Sequence, residues 1–192
     1  PSSDAASYWT TTAFASAEEL GRRGYTGALV TEMRGDRYGT GFPARAVHQV
    51  PSATLASKSP VAVAKTGLAL AKGIVAARKL MKNVRPLVVV GFGGYPTFPP
   101  LLAARQLGIP TMLHEQNAVL GRANKMLARR VNAIATSFET TKFLEGPLLA
   151  KARFTGNPVR GIVIAAAGTP YPPPEPNAPF HLLVFGGSQG AR

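Results

Sequence analysis

The sequence has no cysteine, few acidic residues and no long uninterrupted apolar run. The absence of cysteine excludes disulfide-stapled and thiolate-metal scaffolds and fits a reducing compartment. Because no run of about 18 apolar residues occurs, we expect no membrane-spanning segment. Residues 1–16 also lack the basic start and apolar centre of a signal peptide. With 45% hydrophobic residues in 192, the chain can still bury a substantial core.

Acidic residues are missing altogether from one long segment. The chain has 22 lysines and arginines against 9 acids, a net charge of +13, and no acid lies between Asp36 and Glu115. Such a surface attracts the phosphates of nucleotides, nucleic acid or anionic lipid. Aromatic residues make up 8% of the chain and do not interleave with the basic ones, so we expect no nucleic acid partner. A non-catalytic domain that binds nucleic acid or anionic lipid is the alternative to an enzyme.

Strands and helices alternate along the chain, which predicts an α/β fold with a Rossmann-like parallel sheet. The predicted strands are 28–31, 46–50, 87–90, 109–113, 131–136 and 152–155. The predicted helices are 17–23, 59–83, 100–107, 120–130 and 140–144. Several strands are apolar without alternation, which is typical of parallel strands covered on both faces.

A proline-rich segment divides the chain. Residues 165–179 read AAAGTPYPPPEPNAP, which predicts an extended linker. An apolar run at 182–185 and a glycine-rich turn follow, and they indicate the start of a second Rossmann-like domain. We therefore predict a first domain at 1–163, a linker at 164–179 and the truncated beginning of a second domain at 180–192.

A glycine-rich loop, GFGGYPT, follows the predicted strand 87–90. Glycine lets backbone N–H groups approach a ligand closely, and the carboxyl ends of parallel strands are where ligands bind. We expect the N-terminus of the next helix, at about residue 100, to favour an anion at the same place. The loop therefore predicts a diphosphate site, with a simple β–α turn as the alternative. Its residues are Gly91, Gly93, Gly94, Tyr95 and Thr97.

A run of four polar residues follows the predicted strand 109–113. These residues are His114, Glu115, Gln116 and Asn117. A neighbouring His and Glu commonly order a loop through hydrogen bonds, so loop ordering and a place in a cleft are both open for this pair. The amide of Asn117 both donates and accepts, which suits a sugar or base hydroxyl.

Two further motifs supply polar donors on either side of the predicted linker. In TGNPVR, the guanidinium of Arg160 suits a phosphate or carboxylate, with capping of the domain junction as the alternative. In GGSQG, Ser188 and Gln189 add a hydroxyl and an amide. Glycine-rich loops on both sides of a linker indicate a cleft with two phosphate-binding walls.

The long helix predicted at 59–83 has two different faces. One face is predicted to be core and comprises Val63, Leu70, Ile74, Ala77 and Met81. On another face lysines recur every seven residues, beside aliphatic residues. This lysine stripe comprises Lys65, Leu68, Lys72, Val75 and Lys79. Cations edged by exposed aliphatics suit an anionic membrane surface, and a solvated lysine face is the alternative.

The segments VVGFGGYPT, IPTMLHEQNAVLGRANK, TGNPVR and FGGSQGAR, in this order and spacing, resemble the MurG family of bacterial glycosyltransferases. The resemblance implies a GT-B fold, in which two Rossmann-like domains face a cleft. It implies inverting, metal-independent transfer of N-acetylglucosamine from UDP-GlcNAc to undecaprenyl-pyrophosphoryl-MurNAc-pentapeptide (lipid I), which gives lipid II for peptidoglycan synthesis. It also implies no cofactor and a peripheral location on the cytoplasmic face of the bacterial inner membrane.

The resemblance also implies roles for individual residues. Asn117, Arg160 and Ser188 match positions that contact UDP-GlcNAc, and the loop 91–97 matches the one that holds the diphosphate of the acceptor. The lysine stripe lies where the family has its membrane-facing patch.

The beginning of the chain departs from the family pattern. The family's first strand and its GGTGGH loop, whose His is the candidate general base, have no counterpart here. His48, His114 and His181 lie elsewhere. The catalytic residue therefore stays unknown, and we predict that this chain alone does not transfer the sugar. A parallel sheet that lacks the first strand would also expose apolar edges.

A dinucleotide-dependent oxidoreductase is a further alternative. GFGGYP lacks the full G-x-G-x-x-G spacing, and Thr111 stands about 20 residues on, where an acid would contact the ribose.

Overall fold

The computed structural model describes residues 7–31, 41–52 and 59–170. Within these ranges the chain forms helices and strands in alternation. The helices are α1 (Ser7–Arg22), α2 (Pro60–Val84), α3 (Phe98–Gln106), α4 (Arg122–Leu127) and α5 (Gly161–Ala167). The strands are β1 (Ala28–Thr31), β2 (Ala46–Gln49), β3 (Val89–Gly91), β4 (Thr111–Glu115), β5 (Ala133–Thr136) and β6 (Ala152–Phe154).

All the described strands pair in parallel, which confirms the predicted α/β fold with a parallel sheet. They form two sheets, β1-β2 and β3-β4-β5-β6. In the larger sheet Val90 lies opposite Met112, and Leu113 lies opposite Ile134. The carboxyl ends of β3, β4 and β5 therefore meet along one edge, which we call the carboxyl edge.

Helices α2 and α3 pack against each other and carry much of the core. The hydroxyl of Ser59 caps α2 by accepting from the N–H of Ala62 at 3.2 Å, and Pro60 follows at the first helical position. Ala77 and Met81 of α2 are buried with Ala103 and Ala104 of α3. A second cluster, which includes Leu101, Leu113, Leu127 and Ile134, packs α3 and α4 against β4 and β5.

The predicted core face of α2 is correct only in part. Leu70, Ile74, Ala77 and Met81 pack against the two core clusters, but Val63 is exposed. The helical periodicity assigns one face to the whole helix, whereas the contacts with the core begin only at Leu70. Helix α2 is long and apolar enough to cross a membrane by length and composition, but this is weak evidence because core helices pass the same test.

Two other local predictions were wrong, and one element was missed. The helix predicted at 140–144 is a loop, because Lys142 exchanges backbone hydrogen bonds with Ala118 and Leu120 instead of continuing a helical turn. The segment 146–151 forms a 3-10 helix that was not predicted. The predicted extended linker begins too early, since the alanine-rich segment Gly161–Ala167 is helical and ends at Gly168. Residues 171–192, with the predicted strand 182–185, lie outside the described residues.

Gly73 allows α2 to approach the chain that follows β2. A Cβ at Gly73 would overlap the carbonyl oxygen of Pro51 and lie 3.0 Å from Cγ of Pro99. Gly67, in the same helix, has nothing within 4 Å of the corresponding position. The two glycines therefore share a helical backbone but differ in the room available for a Cβ atom.

We expect Gly73→Ala to lower the free energy of unfolding by about 1–3 kcal/mol, because the new methyl group must displace backbone. Gly67→Ala is the matched control and should raise it by about 0.5–1 kcal/mol, as alanine restricts the unfolded chain. Urea denaturation followed by circular dichroism measures both. Equal effects of the two substitutions would contradict the close approach at Gly73.

Candidate functional site

Three of the sequence motifs meet at the carboxyl edge of the larger sheet. The loop 91–97 follows β3, the segment 116–121 follows β4, and the segment 155–160 follows β6. Ligands of open parallel sheets bind at this edge. A depression of about 280 Å³, lined by Arg105, Asn132 and the turn 108–110, lies at the opposite edge and contains no predicted site residue.

The loop after β3 needs glycine at three positions for two different reasons. A Cβ at Gly91 would overlap the Thr97 side chain and lie 2.8 Å from Cδ1 of Leu101. Gly93 and Gly94 have φ values of 93° and 75°, a region that other residues rarely adopt. The Thr97 hydroxyl donates to the Gly93 carbonyl at 2.5 Å and closes the loop.

The donors of this loop are its own N–H groups, not those of helix α3. We expected the N-terminus of α3 to offer N–H donors to an anion, and this expectation is wrong. The Phe98 N–H donates to the Tyr95 carbonyl, and Pro99 and Pro100 have no N–H. By contrast, the N–H groups of Gly93, Gly94 and Tyr95 have no acceptor in the described part of the chain. Unpaired backbone N–H groups of this kind are able to donate to an anion.

His114 connects the three motifs. It lies inside β4, one residue beyond the middle of the strand, and not in a loop after it. Its Nε2 lies 3.2 Å from the Gly156 carbonyl, its Nδ1 lies 3.1 Å from Nε2 of Gln116, and its ring packs 5.9 Å from that of Phe92. Burial lowers the pKa of His114, an effect that the Gly156 carbonyl and Glu115 partly oppose. The ring is therefore neutral near pH 7, donating from Nε2 and accepting at Nδ1.

Glu115, the next residue, orders the segment after β4. Its carboxylate is fully buried. One oxygen accepts from the backbone N–H and the side-chain amide of Asn117, at 3.0 and 3.1 Å. The other oxygen accepts from the Gly121 N–H at 2.8 Å and from the Asn124 amide at 2.9 Å. Four donors converge on one carboxylate, so the segment 116–121 and the start of α4 have a single arrangement.

This arrangement presents the Asn117 side chain at the carboxyl edge. Its amide nitrogen is held by Glu115, while Asn117 itself is exposed and its Oδ1 has no partner among the described residues. The Oε1 of Gln116 is buried and likewise has no partner there. A buried oxygen without a donor is an acceptor for water or for a ligand. The edge therefore offers acceptors at 116–117 and donors at 93–95.

The structure describes Arg160 but not the second glycine-rich motif. Arg160 precedes helix α5, is exposed, and has no side-chain partner among the described residues. Asn157, from the same motif, accepts from the Thr12 hydroxyl of α1 at 3.2 Å. Ser188, Gln189 and His181 lie outside the described residues.

Sequence reasoning missed several residues that build this edge. Phe92, Gly156 and Asn124 contact His114 or Glu115, and none of them was predicted to belong to the site. Only the spacing of Gly121 and Asn124 after Glu115 could have suggested the carboxylate as their partner. Within the described ranges no cluster of His, Asp and Glu could hold a metal ion.

The chain belongs to the family defined by the glycosyltransferase family 28 N-terminal domain, whose profile matches residues 11–136. This confirms the resemblance to a glycosyltransferase family that the sequence motifs indicated. The match includes the loop 91–97 and the segment around His114.

Two bacterial relatives carry the name UDP-N-acetylglucosamine–N-acetylmuramyl-(pentapeptide) pyrophosphoryl-undecaprenol N-acetylglucosamine transferase. The one from Allorhizobium ampelinum is 57% identical over 176 residues, which are 92% of this chain and 46% of the relative. The one from Rhizobium meliloti is 56% identical over 178 residues, again 92% and 46%. The crystal structure of MurG from Acinetobacter baumannii aligns with a TM-score of 0.62 and 27% identity, over 80% of this chain and 42% of that one. This chain thus spans less than half the length of these relatives.

We expect Glu115→Gln to lower the free energy of unfolding by about 2 kcal/mol or more. The NH₂ group of the new amide would replace one carboxylate oxygen and would face N–H donors instead of accepting from them. Glu139→Gln is the matched control, since Glu139 is exposed, and should change it by less than about 0.5 kcal/mol. Urea denaturation measures both. If the two variants unfold alike, the carboxylate does not organise the segment 116–121.

Proposed function

We propose that this chain is the acceptor-binding half of an enzyme that transfers N-acetylglucosamine from UDP-GlcNAc to lipid I. The observation that carries the proposal is the set of unpartnered N–H groups at 93–95, on the carboxyl edge of a family 28 domain. The relatives named above support it through their names. The product would be lipid II for peptidoglycan synthesis, which links the enzyme to cell shape and division. The reaction would need no cofactor.

The loop 91–97 is proposed to bind the diphosphate of lipid I. The N–H groups of Gly93, Gly94 and Tyr95 point to no acceptor in the described protein, and Thr97 and Gly91 hold the loop in shape. Backbone N–H groups suit a diphosphate because they donate hydrogen bonds to its oxygens without needing a charged side chain. The acid-free segment around the loop adds a favourable field.

The donor UDP-GlcNAc is proposed to lie between this domain and a second one. Asn117 and Arg160 would contact it from the carboxyl edge, and Ser188, beside Gln189, would contact it from the domain that begins near residue 180. Asn117 offers a fixed acceptor because Glu115 holds its amide nitrogen. Arg160 offers a guanidinium without a protein partner in the described part of the chain. The first domain would end near residue 163, although α5 continues into the proposed linker.

The lysine stripe of α2 is proposed to place the domain on the cytoplasmic face of the bacterial inner membrane. Its lysines are exposed, and Leu68 and Val75 between them are 60% and 68% exposed. The opposite face of α2, with Gly73, Ala77 and Met81, is buried against the domain. A helix held in this way cannot turn its lysines inward, so cations and aliphatics together face outward, as a peripheral contact with anionic lipid requires.

The acceptor site is tested with vesicles that contain lipid I, compared with vesicles in which anionic phospholipid supplies the same charge. We expect the chain to prefer lipid I, and Gly94→Ala to lower that affinity by about tenfold, because alanine is strained by about 1–2 kcal/mol at a φ of 75° and shifts the N–H groups. Vesicle flotation measures the bound fraction.

Gly108→Ala is the matched control for this substitution. Gly108 has a φ of 70° and open space around it, but it ends α3 at the opposite edge of the sheet. Because Gly108 also has a positive φ, alanine is strained there too, but this substitution should leave the affinity for lipid I unchanged. Equal binding of wild type, Gly94→Ala and Gly108→Ala to lipid I vesicles would exclude the loop 91–97 as the diphosphate site.

The membrane surface is tested with vesicles that contain anionic phospholipid and no lipid I. We expect the triple variant Lys65→Glu, Lys72→Glu, Lys79→Glu to bind about a hundredfold more weakly, since each lysine near the surface contributes about 1 kcal/mol. The control, Arg45→Glu, Lys142→Glu, Arg153→Glu, changes the net charge equally at exposed positions outside the stripe. Equal losses in both variants would show an effect of net charge only and contradict a membrane face on α2.

A further inference from the structure

Phe143, in the loop that follows β5, has an unusual backbone conformation. Its φ is 69°, a left-handed value that a bulky side chain adopts only at a cost in energy. Among the described residues other than glycine, only Arg85 shares such a value, and its N–H ends helix α2 by donating to Met81. Phe143 ends no helix and is 40% exposed, so burial offsets only part of the cost. Strain of this kind at an exposed side chain points to a task for that side chain.

Two lysines contact the ring of Phe143. Lys125 of α4 places its Nζ 3.9 Å from the centre of the ring, and Lys142 places its Nζ 5.4 Å from it. The ring attracts both ammonium groups and so holds two like charges close together at exposed positions. Neither lysine forms an ion pair within the described ranges, although Glu139 and Glu145 lie in the same loop. The lysine–phenylalanine cluster, which we define as these two lysines and Phe143, therefore presents two cations to a ligand.

Backbone hydrogen bonds attach this cluster to the carboxyl edge. The Lys142 N–H donates to the Ala118 carbonyl at 2.8 Å. The Lys125 N–H donates to the Gly121 carbonyl at 2.7 Å, and the carboxylate of Glu115 holds the N–H of the same glycine. The carboxylate that orders the segment after β4 therefore also fixes the place of the cluster.

The cluster is within reach of a peptide that begins at the loop 91–97. This loop follows β3, and the cluster is attached to the connections after β4 and β5, the next two strands of the sheet. Two strand spacings measure about 10 Å. An extended pentapeptide spans up to about 17 Å. A peptide whose carrier is bound at the loop can therefore place its far end at the cluster.

We propose that the lysine–phenylalanine cluster is a subsite for the pentapeptide of lipid I and binds a carboxylate of that peptide. A peptide joined to a sugar through its amino end keeps a free carboxylate at its other end. Two adjacent ammonium groups supply charge-assisted hydrogen bonds to the carboxylate oxygens, and the ring fixes where these groups lie. Val119, which pairs with Lys142 and is 47% exposed, adds an aliphatic surface for the peptide. This role rests on the proposed function, in which lipid I is the acceptor.

The test compares vesicles that contain lipid I with vesicles that contain lipid I whose peptide carboxylates are amidated. The second acceptor keeps the diphosphate, the sugar and the length of the peptide but loses the charge of the peptide. We expect the unchanged chain to bind lipid I about tenfold more tightly than the amidated form, because a hydrogen bond to a charged group contributes about that factor. In the double variant Lys125→Gln, Lys142→Gln this ratio should fall to about one. Vesicle flotation measures the bound fraction.

Two further variants separate the subsite from net charge. The matched control, Arg45→Gln, Arg153→Gln, removes two exposed cations elsewhere and should keep the ratio of the unchanged chain. Phe143→Asn removes the ring and places there a residue that tolerates the left-handed backbone. It should lower the ratio about threefold, since a cation–π contact at an exposed site is worth about that factor. Circular dichroism checks that every variant is folded.

Three results would overturn the subsite. The first is equal binding of lipid I and its amidated form by the unchanged chain, with both preferred over anionic phospholipid, which would leave the proposed function intact. The second is an equal fall of the ratio in the lysine variant and in the arginine control, which would assign the effect to net charge. The third is no preference for either acceptor over anionic phospholipid, which would contradict the proposed function and the subsite together.

Discussion

Two consecutive polar side chains are buried at the end of β4, and each must satisfy its hydrogen bonds inside the protein. Neighbouring residues of a strand point to opposite faces, so His114 and Glu115 do this on different sides. His114 contacts Phe92, Gln116 and Gly156, and thereby joins the loops after β3, β4 and β6. Glu115 collects four donors and shapes the segment that leads to α4. These two residues therefore hold the loops of the carboxyl edge together.

Charge and backbone chemistry have separate tasks at this edge. The buried carboxylate of Glu115 is used entirely for internal order, and the neutral ring of His114 adds no charge. What faces outward is a set of backbone N–H groups, an Asn117 acceptor and the Arg160 guanidinium. The prolines at the start of α3 remove helix N–H groups that would compete for the same anion. For the proposed diphosphate ligand, selectivity would then depend on loop geometry more than on countercharge.

The described residues lack one group that the proposed reaction needs, and they leave some surfaces uncovered. The carboxyl edge supplies donors and acceptors but no group within the described residues that is placed as a general base, since the ring nitrogens of His114 are both hydrogen-bonded. Among the described residues, β1 pairs only with β2 and β3 pairs only with β4, so each has one open edge. Helix α5 exposes Ile162 and Ile164 where the chain leaves the domain. Each feature fits a chain that spans less than half the length of its relatives.

The sequence by itself determined the fold class, the family and the position of most strands, because these depend on local patterns. Strand β1 and the cap at Ser59 begin where their patterns predict, and the motif order alone indicated the family. Only the tertiary structure decided the rest. The segment 140–144 became a loop through backbone bonds to 118–120, Val63 lies where the core does not reach, and Glu115 found donors at Gly121 and Asn124. Those outcomes depend on partners distant in sequence and on how far the core extends along a helix, and periodicity identifies neither.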